Sequence, residues 1–336
     1  MTLETAAVER FVAEAWKADA VTASGASMMS GGAIQENWAL DLAVTRDGRT
    51  DHLETVLRTD APSSIPQSHG RAEEYALFSA AHAAGVAVPK PLLLGRDVAG
   101  MDRPFFLMQR VAGQADPRKI TRGDLTGAPL ARALGAELAR IHSITPGAEG
   151  LGFLDLPDES PAKDRVAEFR AALDASERPQ PVIEWGVRWL ELNAPPAPDA
   201  LVLCHNDFRT GNYILGPDGT PAILDWEFAG WGDRHADLGW FCAKCWRFGQ
   251  DDREAGGIGP RAEFYAGYED IAGPVIDRDA VPFWEMLATV RWAVIALRQG
   301  DRFLQDGERS LELALTRHVV PTLEIDILDQ TGELHA

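Results

Sequence analysis

The apolar and polar positions change their period about one third of the way along the chain. Before Gly113 they form short alternating runs that predict strands, interrupted by two stretches with helical spacing. The small-residue segment ASGASMMSGGA is predicted to be a loop. The predicted elements are a helix at 3–18, strands at 35–44 and 52–59 around the turn RDGR, a helix at 69–84 ended by Gly85, and strands at 91–98 and 104–111.

After Gly113 helical spacing dominates, and the short apolar run LVLC at 201–204 interrupts it. The order of elements predicts an α+β fold with two lobes, a small β-rich N-lobe at 1–110 and a large helical C-lobe at 111–336, with the chemistry at their junction. Further helices are predicted near 130–144, 161–175, 181–193, 235–248, 260–271, 281–304 and 308–328. The predicted core aromatics of this part are Trp226, Trp231, Trp240, Trp246, Trp284 and Trp292.

The segment LVLCHNDFRTGNYILGPDGTPAILDWEF, residues 201–228, concentrates the polar side chains that carry chemistry. GPDGT is a turn sequence that separates the apolar runs YIL and AIL, which should pair as an antiparallel hairpin. In such a hairpin the start of the first strand lies beside the end of the second. Asn212 precedes the first strand and Asp225 follows the second, so their side chains are predicted to meet at one end.

These two side chains offer the ligands that Mg²⁺ prefers, because the ion takes a few hard oxygens and completes its shell with phosphate oxygens and water. Asp207, in the loop that leads into the same end, could orient a hydroxyl. His205, Asp207, Asn212 and Asp225 have the spacing of a kinase catalytic loop followed by a metal-binding aspartate. DxxxxN alone occurs often by chance, but the complete set of strand, HxDxxxxN, turn and strand ending in Asp is much more specific.

HNDFRTGN and LDWEFAGWGD resemble the two signature segments of the aminoglycoside phosphotransferase-like family, which has a protein-kinase-like fold. The resemblance extends over about 27–328 and is closest to the branch found as a kinase domain of some acyl-CoA dehydrogenases. It implies that Asp207 is the catalytic base or hydroxyl-orienting residue and that Asn212 and Asp225 hold Mg²⁺. It also implies that His205 packs the loop and that Asp237 braces it through backbone amides.

The resemblance places a nucleotide site, with ATP or GTP as co-substrate, in the N-lobe. Ser30, Gly31 and Gly32 occupy the position of the family's nucleotide loop, where small residues let backbone N–H groups approach phosphates. The segment has no GxGxxG, and three small residues in a turn are common. FFLMQRVAG, residues 105–113, resembles the hinge between the lobes, where backbone groups of Gln109 and Val111 would bind adenine.

Arg58 stands in the strand where kinases keep a lysine that reaches the phosphates. An arginine keeps the charge and can bind phosphate through two N–H groups, but it is not an equivalent replacement. Glu74, on the following helix, resembles the acid that pairs with that cation. The alternative interpretation is a surface arginine on a strand and a solvated glutamate on a helix.

Composition argues against several partners. The chain has 336 residues and a net charge of −19, so its field repels nucleic acid and anionic membranes, and neither is expected as a partner. No apolar run is long enough to span a membrane, and the acidic N-terminal segment predicts an amphipathic helix rather than a signal peptide.

Cys204, Cys242 and Cys245 suit buried thiols in a reducing cytoplasm, because the CxxC inside a predicted helix has no second ligand pair for zinc. The oligomeric state is left open.

The predicted function is a small-molecule kinase that moves the γ-phosphate of ATP or GTP to a hydroxyl of a small-molecule acceptor. A cationic aminoglycoside acceptor would need acids around it, whereas a hydroxyacyl-CoA or another anionic hydroxy acid would need a basic patch, and the closest family branch favours the second. Arg291, Arg298 and Arg302 could share a helix face and meet such an anion, although such arginines are more often salt-bridged. The rival predictions are a nucleotide hydrolase and a catalytically silent nucleotide-binding module, for which Arg58 in place of lysine is the only hint.

Overall fold

The computed structural model describes residues 3–29, 35–60, 68–176, 178–304 and 310–332. They form two compact units. Unit 1 comprises the described residues of Met1–Gln114, with Gly147–Phe153 and Asn212–Ala229. Unit 2 comprises the described residues of Ala115–Pro146, Leu154–Gly211 and Gly230–Ala336.

The helices and strands follow one another in a simple order, with the strands of a large sheet first. The elements are α1 (Thr5–Trp16), β1 (Ala20–Met28), β2 (Gln35–Arg46), β3 (Arg49–Asp60), α2 (Arg71–Ala83), β4 (Pro91–Gly95), β5 (Phe105–Gln109), α3 (Pro117–Arg122), α4 (Ala128–Ile141), α5 (Pro161–Asp174), α6 (Pro181–Asn193), β6 (Val202–Cys204), β7 (Tyr213–Leu215), β8 (Pro221–Ile223), β9 (Gly230–Gly232), α7 (Arg234–Cys242), a 3₁₀ turn (Lys244–Trp246), α8 (Arg261–Ala272), α9 (Val281–Leu304), α10 (Leu311–Arg317) and α11 (Val320–Gln330).

Unit 1 is built on an antiparallel five-stranded sheet with the strand order β1-β2-β3-β5-β4. β2 and β3 pair over their whole length, ending with Arg46 opposite Arg49. The turn between them is the predicted one, and both Asp47 and Gly48 have positive φ, as a tight two-residue hairpin requires. The long paired strands therefore follow from the alternation and the turn residues that the sequence shows.

Helices cover both faces of this sheet. On one face, Val8 of α1 belongs to a buried apolar cluster with Leu57 and Phe105. On the other face, Phe106 of β5 contacts the ring of Phe78 on α2. Because side chains alternate along a strand, Arg58, the neighbour of Leu57, points toward the face that α2 covers. This alternation brings a charged side chain of a central strand into the interior of unit 1.

The first strand, β1, corrects the prediction of a loop before β2. The segment ASGASM belongs to β1, which pairs with β2 from Ala20 opposite Thr45 to Met28 opposite Trp38, with an irregularity between Ser24 and Ser27. Most of its side chains are exposed, so the segment lacks the apolar alternation that predicts a strand. Backbone hydrogen bonds to the neighbouring strand, which act over a distance in sequence, decide its conformation.

The short hairpin of β7 and β8 is fixed to the rest of unit 1 through backbone hydrogen bonds. Ile223 donates to the carbonyl of Ala87 (2.7 Å), and Gln114 exchanges two bonds with Leu215 (3.0 and 2.9 Å). Gly113 lies where any Cβ would collide with the carbonyl of Leu215, so only glycine allows this approach. Backbone hydrogen bonds from both strands therefore hold the hairpin in place within unit 1.

Unit 2 is helical, and α9 lies at the centre of an extensive apolar cluster. That cluster unites side chains of α5, α6, α9 and α11, such as Phe169, Val187, Val290 and Ile327. α4 and α8 cross so closely that a Cβ at Gly135 would collide with the carbonyl of Phe264. The short strands β6 and β9 pair antiparallel beside these helices. None of the helices in the described ranges has both the length and the hydropathy needed to cross a bilayer.

Two helices end earlier than their apolar spacing predicts. The predicted helix 235–248 stops at Cys242, because Ala243 takes an extended ψ of 141°, and a 3₁₀ turn follows. The CxxC is therefore not inside one helix, and both Cys242 and Cys245 are free thiols. The predicted helix 308–328 is divided into α10 and α11, with Pro321 in the first turn of α11. Proline suits a first helical turn and cannot continue a preceding helix.

Candidate active site

The β7–β8 hairpin of unit 1 has polar side chains at one end. The two strands pair antiparallel, with Tyr213 opposite Ile223, which confirms the predicted hairpin, although β8 begins one residue earlier than expected. The N–H of Leu224 donates to the carbonyl of Asn212 (2.8 Å), so the backbone pairing continues one step beyond the strands. Asn212 belongs to this last pair and Asp225 follows it directly.

The donor atoms at this end of the hairpin are of the kind that Mg²⁺ prefers. Asn212 is buried, whereas the side chain of Asp225 is 35% exposed. Asp225 has a φ of 56°, a left-handed conformation that is uncommon for a residue with a side chain. Amide and carboxylate oxygens are hard ligands, so the residues present fit a magnesium site completed by phosphate and water.

Arg58 links the sheet of unit 1 to the end of the hairpin. One of its terminal nitrogens lies 2.7 Å from Oδ1 of Asp225 and 2.8 Å from Oε1 of Glu74. Its Nε donates to Oε2 of Glu74 (3.1 Å), and the other terminal nitrogen reaches Oδ1 of Asn37 (3.4 Å). The guanidinium therefore holds two carboxylates, one on α2 and one after β8, in a fixed relation.

Glu74 is completely buried and has a second cation, Arg71, one helical turn before it. Arg71 also bonds to Asp60 through Nε (2.9 Å) and donates to the carbonyl of His69 (3.0 Å). Because both arginines are themselves anchored, the buried charge of Glu74 is well compensated.

Electrostatics keep Arg58 charged and make a neighbouring acid hard to ionise. Burial alone would lower the pKa of Arg58, but the carboxylates of Glu74 and Asp225 outweigh it and raise the pKa above the usual range. Burial, and next the charge of Asp225, raises the pKa of Glu227 to about 8. The side-chain amide of Gln35 donates to Glu227. Glu227 is therefore a partly buried, hydrogen-bonded acid.

In unit 2, the carboxylate of Asp207 accepts hydrogen bonds from the side chains of Trp240 and Arg209. The indole Nε1 of Trp240, on α7, donates to Oδ1 of Asp207 (3.0 Å). Nε of Arg209 lies 3.2 and 3.3 Å from the two carboxylate oxygens. The Arg209 guanidinium also stacks on Trp246, 4.8 Å from the ring centroid. These hydrogen bonds restrict the orientation of the Asp207 carboxylate. Because its side chain is 16% exposed, it still has access to solvent.

Asp237, on α7, accepts hydrogen bonds from the backbone just before Asp207. Its two oxygens take the N–H groups of His205 (2.6 Å) and Asn206 (2.8 Å). His142 bonds to the same carboxylate (3.1 Å). Burial opposes the charge of Asp237, but these hydrogen bonds and the neighbouring histidines lower its pKa. Burial lowers the pKa of His142, which favours a neutral imidazole.

Sequence comparison decides which family these features indicate. Residues 29–280, well over half of the chain, match the family described as phosphotransferase enzyme family, APH.

The chain belongs to the phosphotransferase enzyme family.

Among curated relatives of the family, acyl-CoA dehydrogenase family member 11 from Gallus gallus is 32% identical over 180 residues, which cover 52% of this chain and 23% of that protein. Acyl-CoA dehydrogenase family member 10 from Mus musculus is 31% identical over 185 residues, covering 53% of this chain and 17% of that protein. The matched part of this chain therefore spans about a fifth of the length of these relatives.

Solved structures show the same fold. A Ralstonia eutropha protein, provisionally assigned as an aminoglycoside phosphotransferase, has a TM-score of 0.74 at 21% identity and covers 98% of each chain. A choline/ethanolamine kinase family protein from Mesorhizobium loti has a TM-score of 0.59 at 18% identity, covering 91% of this chain and 88% of that one. These likenesses confirm the predicted kinase-like fold, with an antiparallel sheet followed by a helical part.

The structure describes only some of the residues that were predicted to bind the nucleotide. Ser30, Gly31 and Gly32 lie outside the described residues. The N–H of Gln109 donates to the carbonyl of Lys90 (2.9 Å), so that N–H has a partner inside unit 1. Val111 follows β5 and is partly buried.

Other polar side chains of unit 2 lie in different surroundings. His205 is fully buried, and its Nδ1 accepts from the N–H of Asp207 (3.3 Å). Asp233 caps α7 through the N–H of His235 (2.9 Å). On α9, Arg291 is partly buried whereas Arg298 is exposed, so these two arginines have different environments.

Two contacts of the site were missed by the sequence analysis. Arg71 precedes Glu74 by one helical turn, and at this spacing two side chains of opposite charge on a helix can form an ion pair. Trp240 was expected only as a core aromatic, and nothing in its spacing indicates that its indole N–H faces Asp207. That contact depends on how α7 packs against the loop.

Proposed function

We propose that the protein is a small-molecule kinase that transfers the γ-phosphate of ATP to a hydroxyl of an anionic acceptor, a hydroxyacyl-CoA or a related hydroxy acid. The observation that carries this proposal is the held carboxylate of Asp207 within the HNDFRTGN motif. A carboxylate of fixed orientation can accept a hydrogen bond from a hydroxyl and take its proton during transfer. Membership of the phosphotransferase family supports the reaction class.

In the proposed reaction, the acceptor oxygen forms a bond to the γ-phosphorus. The bond from that phosphorus to the bridging oxygen of the nucleoside diphosphate breaks, and the hydroxyl proton moves to Asp207. Trp240 and Arg209 restrict the rotation of the carboxylate before the acceptor arrives. Positioning and charge stabilisation supply most of the acceleration in phosphoryl transfer, so a fixed carboxylate is the kind of contribution expected.

On the nucleotide side, Asn212 and Asp225 would hold Mg²⁺. When bound with a nucleotide, the ion neutralises charge on the phosphate oxygens. Arg58 would keep Asp225 oriented and leave a permanent positive charge next to it. We assign phosphate binding to Ser30, Gly31 and Gly32, and adenine binding to the backbone at Gln109 and Val111, as further parts of this proposal.

The acceptor class rests on two observations. Relatives at 31–32% identity are named acyl-CoA dehydrogenase family members, which makes an acyl-CoA with a hydroxyl a natural candidate. In unit 2, the side chain that pairs with Asp207 is a cation, Arg209, which could also contact an anionic group of an acceptor. Both observations favour an anionic acceptor.

The test is a nucleotide-consumption assay with Mg-ATP and a panel of acceptors. Hydroxyacyl-CoAs and free hydroxy acids form one arm, and aminoglycosides with other cationic alcohols form the other. Asp207→Ala serves as the blank. The proposal expects turnover with the first arm and none above the blank with the second. Turnover with aminoglycosides alone would refute the anionic acceptor.

The metal assignment has its own test. Asp225→Ala should weaken Mg-ATP binding by about tenfold or more, because it removes a charged ligand, and should weaken the dependence of binding on Mg²⁺. Titration calorimetry at several Mg²⁺ concentrations measures both effects. Asp218→Ala is the matched control. Asp218 lies in the turn of the same hairpin, where its Oδ1 accepts from the N–H of Thr220 (3.0 Å). An unchanged Mg²⁺ dependence in Asp225→Ala would contradict the assignment.

A further inference from the structure

A chain of contacts in unit 2 runs from the long helix α9 to the carboxylate of Asp207. The guanidinium carbon of Arg291 lies 4.3 Å from the centroid of the Trp240 ring. One terminal nitrogen of Arg291 donates to the carbonyl of Asn206, the residue before Asp207. The indole Nε1 of Trp240 then donates to Oδ1 of Asp207 (3.0 Å). Arg291 therefore contacts both the peptide group that precedes Asp207 and the indole that donates to its carboxylate.

The backbone at Asn206 shows what the first of these contacts does. Asn206 has a φ of 61°, a left-handed conformation that is uncommon for residues other than glycine, although asparagine adopts it more readily than most. Its N–H donates to Asp237 (2.8 Å), and its carbonyl accepts from Arg291. Since both peptide groups that flank Asn206 are held, the direction in which the chain presents Asp207 is fixed as well.

The charge of Arg291 has no carboxylate partner at ion-pair distance among the residues that the structure describes. Burial, and next the neighbouring charge of Arg165, lowers the pKa of Arg291 to about 10, so the guanidinium remains charged at neutral pH. A cation over the face of a tryptophan is attracted by the ring, and most strongly where water is excluded. The contact with Trp240 therefore fixes the plane of the indole and the direction of its N–H.

We propose that Trp240 and Arg291 are positioning residues for Asp207: Arg291 holds the Asn206 carbonyl and the Trp240 ring, and the Trp240 N–H holds the carboxylate. This proposal rests on the proposed role of Asp207 in phosphoryl transfer. Neither residue touches the reacting atoms. Their effect is on the fraction of molecules in which the carboxylate faces the acceptor hydroxyl.

A purely structural role is the competing explanation, because Trp240 is 3% exposed and packs in a cluster with Trp246 and Ala288. The two explanations differ in which atom matters. Packing depends on the shape of the ring, whereas positioning depends on the N–H. Replacement of Trp240 by benzothienylalanine, in which sulfur takes the place of the indole N–H, keeps the ring shape and removes only the donor.

The first experiment compares this replacement at Trp240 with the same replacement at Trp292. The ring of Trp292 packs against that of Trp246 at a tilt of 47° (5.0 Å between centroids) in the same aromatic cluster. The assay uses Mg-ATP and a hydroxyacyl-CoA. Loss of a hydrogen bond to a carboxylate should lower kcat about 10- to 100-fold at position 240, with the KM for Mg-ATP within about twofold. The replacement at position 292 should leave kcat within about twofold. Equal effects at both positions, or none at 240, would overturn the proposal.

The second experiment replaces Arg291 by methionine and compares it with Arg188→Met, at an exposed arginine on α6 of the same unit. Arg291→Met should lose kcat about 10-fold or more, and added guanidinium ion should restore part of it. Arg188→Met should change neither kcat nor its response to guanidinium. Loss of kcat without any rescue, in a variant whose thermal unfolding is unchanged, would count against positioning by the guanidinium.

Hydrogen–deuterium exchange in the segment 202–213 provides a readout that needs no acceptor. The proposal expects faster exchange of this segment in Arg291→Met than in the wild type and in Arg188→Met. Unchanged exchange would overturn it, whether or not turnover has been found. Wild-type turnover is measured first, so failure of the proposed kinase function is seen before any variant is compared.

Discussion

Arg58 makes contacts that a lysine at the same position could not make. A lysine offers a compact charge on a flexible stem, whereas the planar guanidinium of Arg58 makes directed contacts to Glu74, Asp225 and Asn37 at once. The larger group is possible here because its partners converge on it from three elements. Arg58 is therefore expected to contribute to the stability of unit 1 and to the orientation of Asp225.

Arg58→Met should lower the free energy of unfolding by about 3 kcal/mol, because it leaves buried Glu74 with only one cation. Arg58→Lys should lose less, since it keeps the charge but cannot reach all three partners. Urea denaturation measures both. Arg49→Met, which removes an exposed ion pair at the other end of β3, is the control and should cost under about 1 kcal/mol. Equal losses in the Arg49 and Arg58 variants would contradict this account.

His142 gives unit 2 a predictable response to pH. Burial lowers its pKa in the folded state below the ordinary value of 6.5, so the unfolded chain binds the proton more readily. The stability from neutral His142 is complete above pH 6.5 and declines as the pH falls below it, by up to about 1.4 kcal/mol per pH unit. Urea midpoints between pH 7.5 and 5 should fall for the wild type.

The matching variant is His142→Gln, which cannot bind a proton and should show a smaller decline over the same pH range. His82→Gln, at an exposed histidine near the end of α2, should leave the wild-type decline unchanged. Parallel curves for the wild type and His142→Gln would mean that another group is responsible.

At this scale, the spacing of the motif sufficed to predict which residues end the hairpin, because Asn212 and Asp225 are separated only by a turn and two short strands. The pairing of Arg58 with Glu74 was also anticipated, from the resemblance to the family. The contact of Trp240 with Asp207 joins α7 to a loop 33 positions earlier, and local spacing carries no information about such a contact.

At the scale of elements, the predictions succeeded where periodicity and breakers agree. β2, β3 and their turn follow from alternation and from Asp47-Gly48. β1 was missed because its side chains are small and exposed, and only its hydrogen bonds to β2 make it a strand. The division between α10 and α11 has a signal in Pro321, which the apolar spacing on either side outweighed.

The crossing of α4 and α8 depends on two glycines whose role only the packing reveals. A Cβ at Gly135 would collide with the carbonyl of Phe264, and one at Gly267 with the carbonyl of Arg132. Gly135→Ala should therefore lower stability by about 1–3 kcal/mol, although alanine is the better helix former. A fall in the melting temperature measures this loss.

Gly152→Ala serves as the control for that prediction, since a Cβ there meets nothing within 4 Å and the residue has no positive φ. Its melting temperature should stay close to that of the wild type. A Gly135→Ala variant as stable as the wild type would show that α4 and α8 can separate without cost.

For the molecule as a whole, the family match covers residues 29–280 and includes segments of both units. The net charge of −19 does not determine the charge of the acceptor, because the local environment of Asp207 contains the cations Arg209 and Arg291. What the sequence could supply at this scale was the fold and the class of reaction, both through the motif. The acceptor depends on which side chains surround Asp207, and the chain order does not reveal them.

The measurement that tests the central claim most directly is phosphorus-31 NMR of the wild-type protein with Mg-ATP and a hydroxyacyl-CoA. A kinase that uses Asp207 to orient a hydroxyl should produce ADP and a new phosphomonoester in equal amounts, and Asp207→Ala should produce neither. Inorganic phosphate in place of the phosphomonoester would identify water as the acceptor. Tight binding of Mg-ATP with no change in the spectrum for any hydroxylated acceptor would contradict the assignment of a kinase.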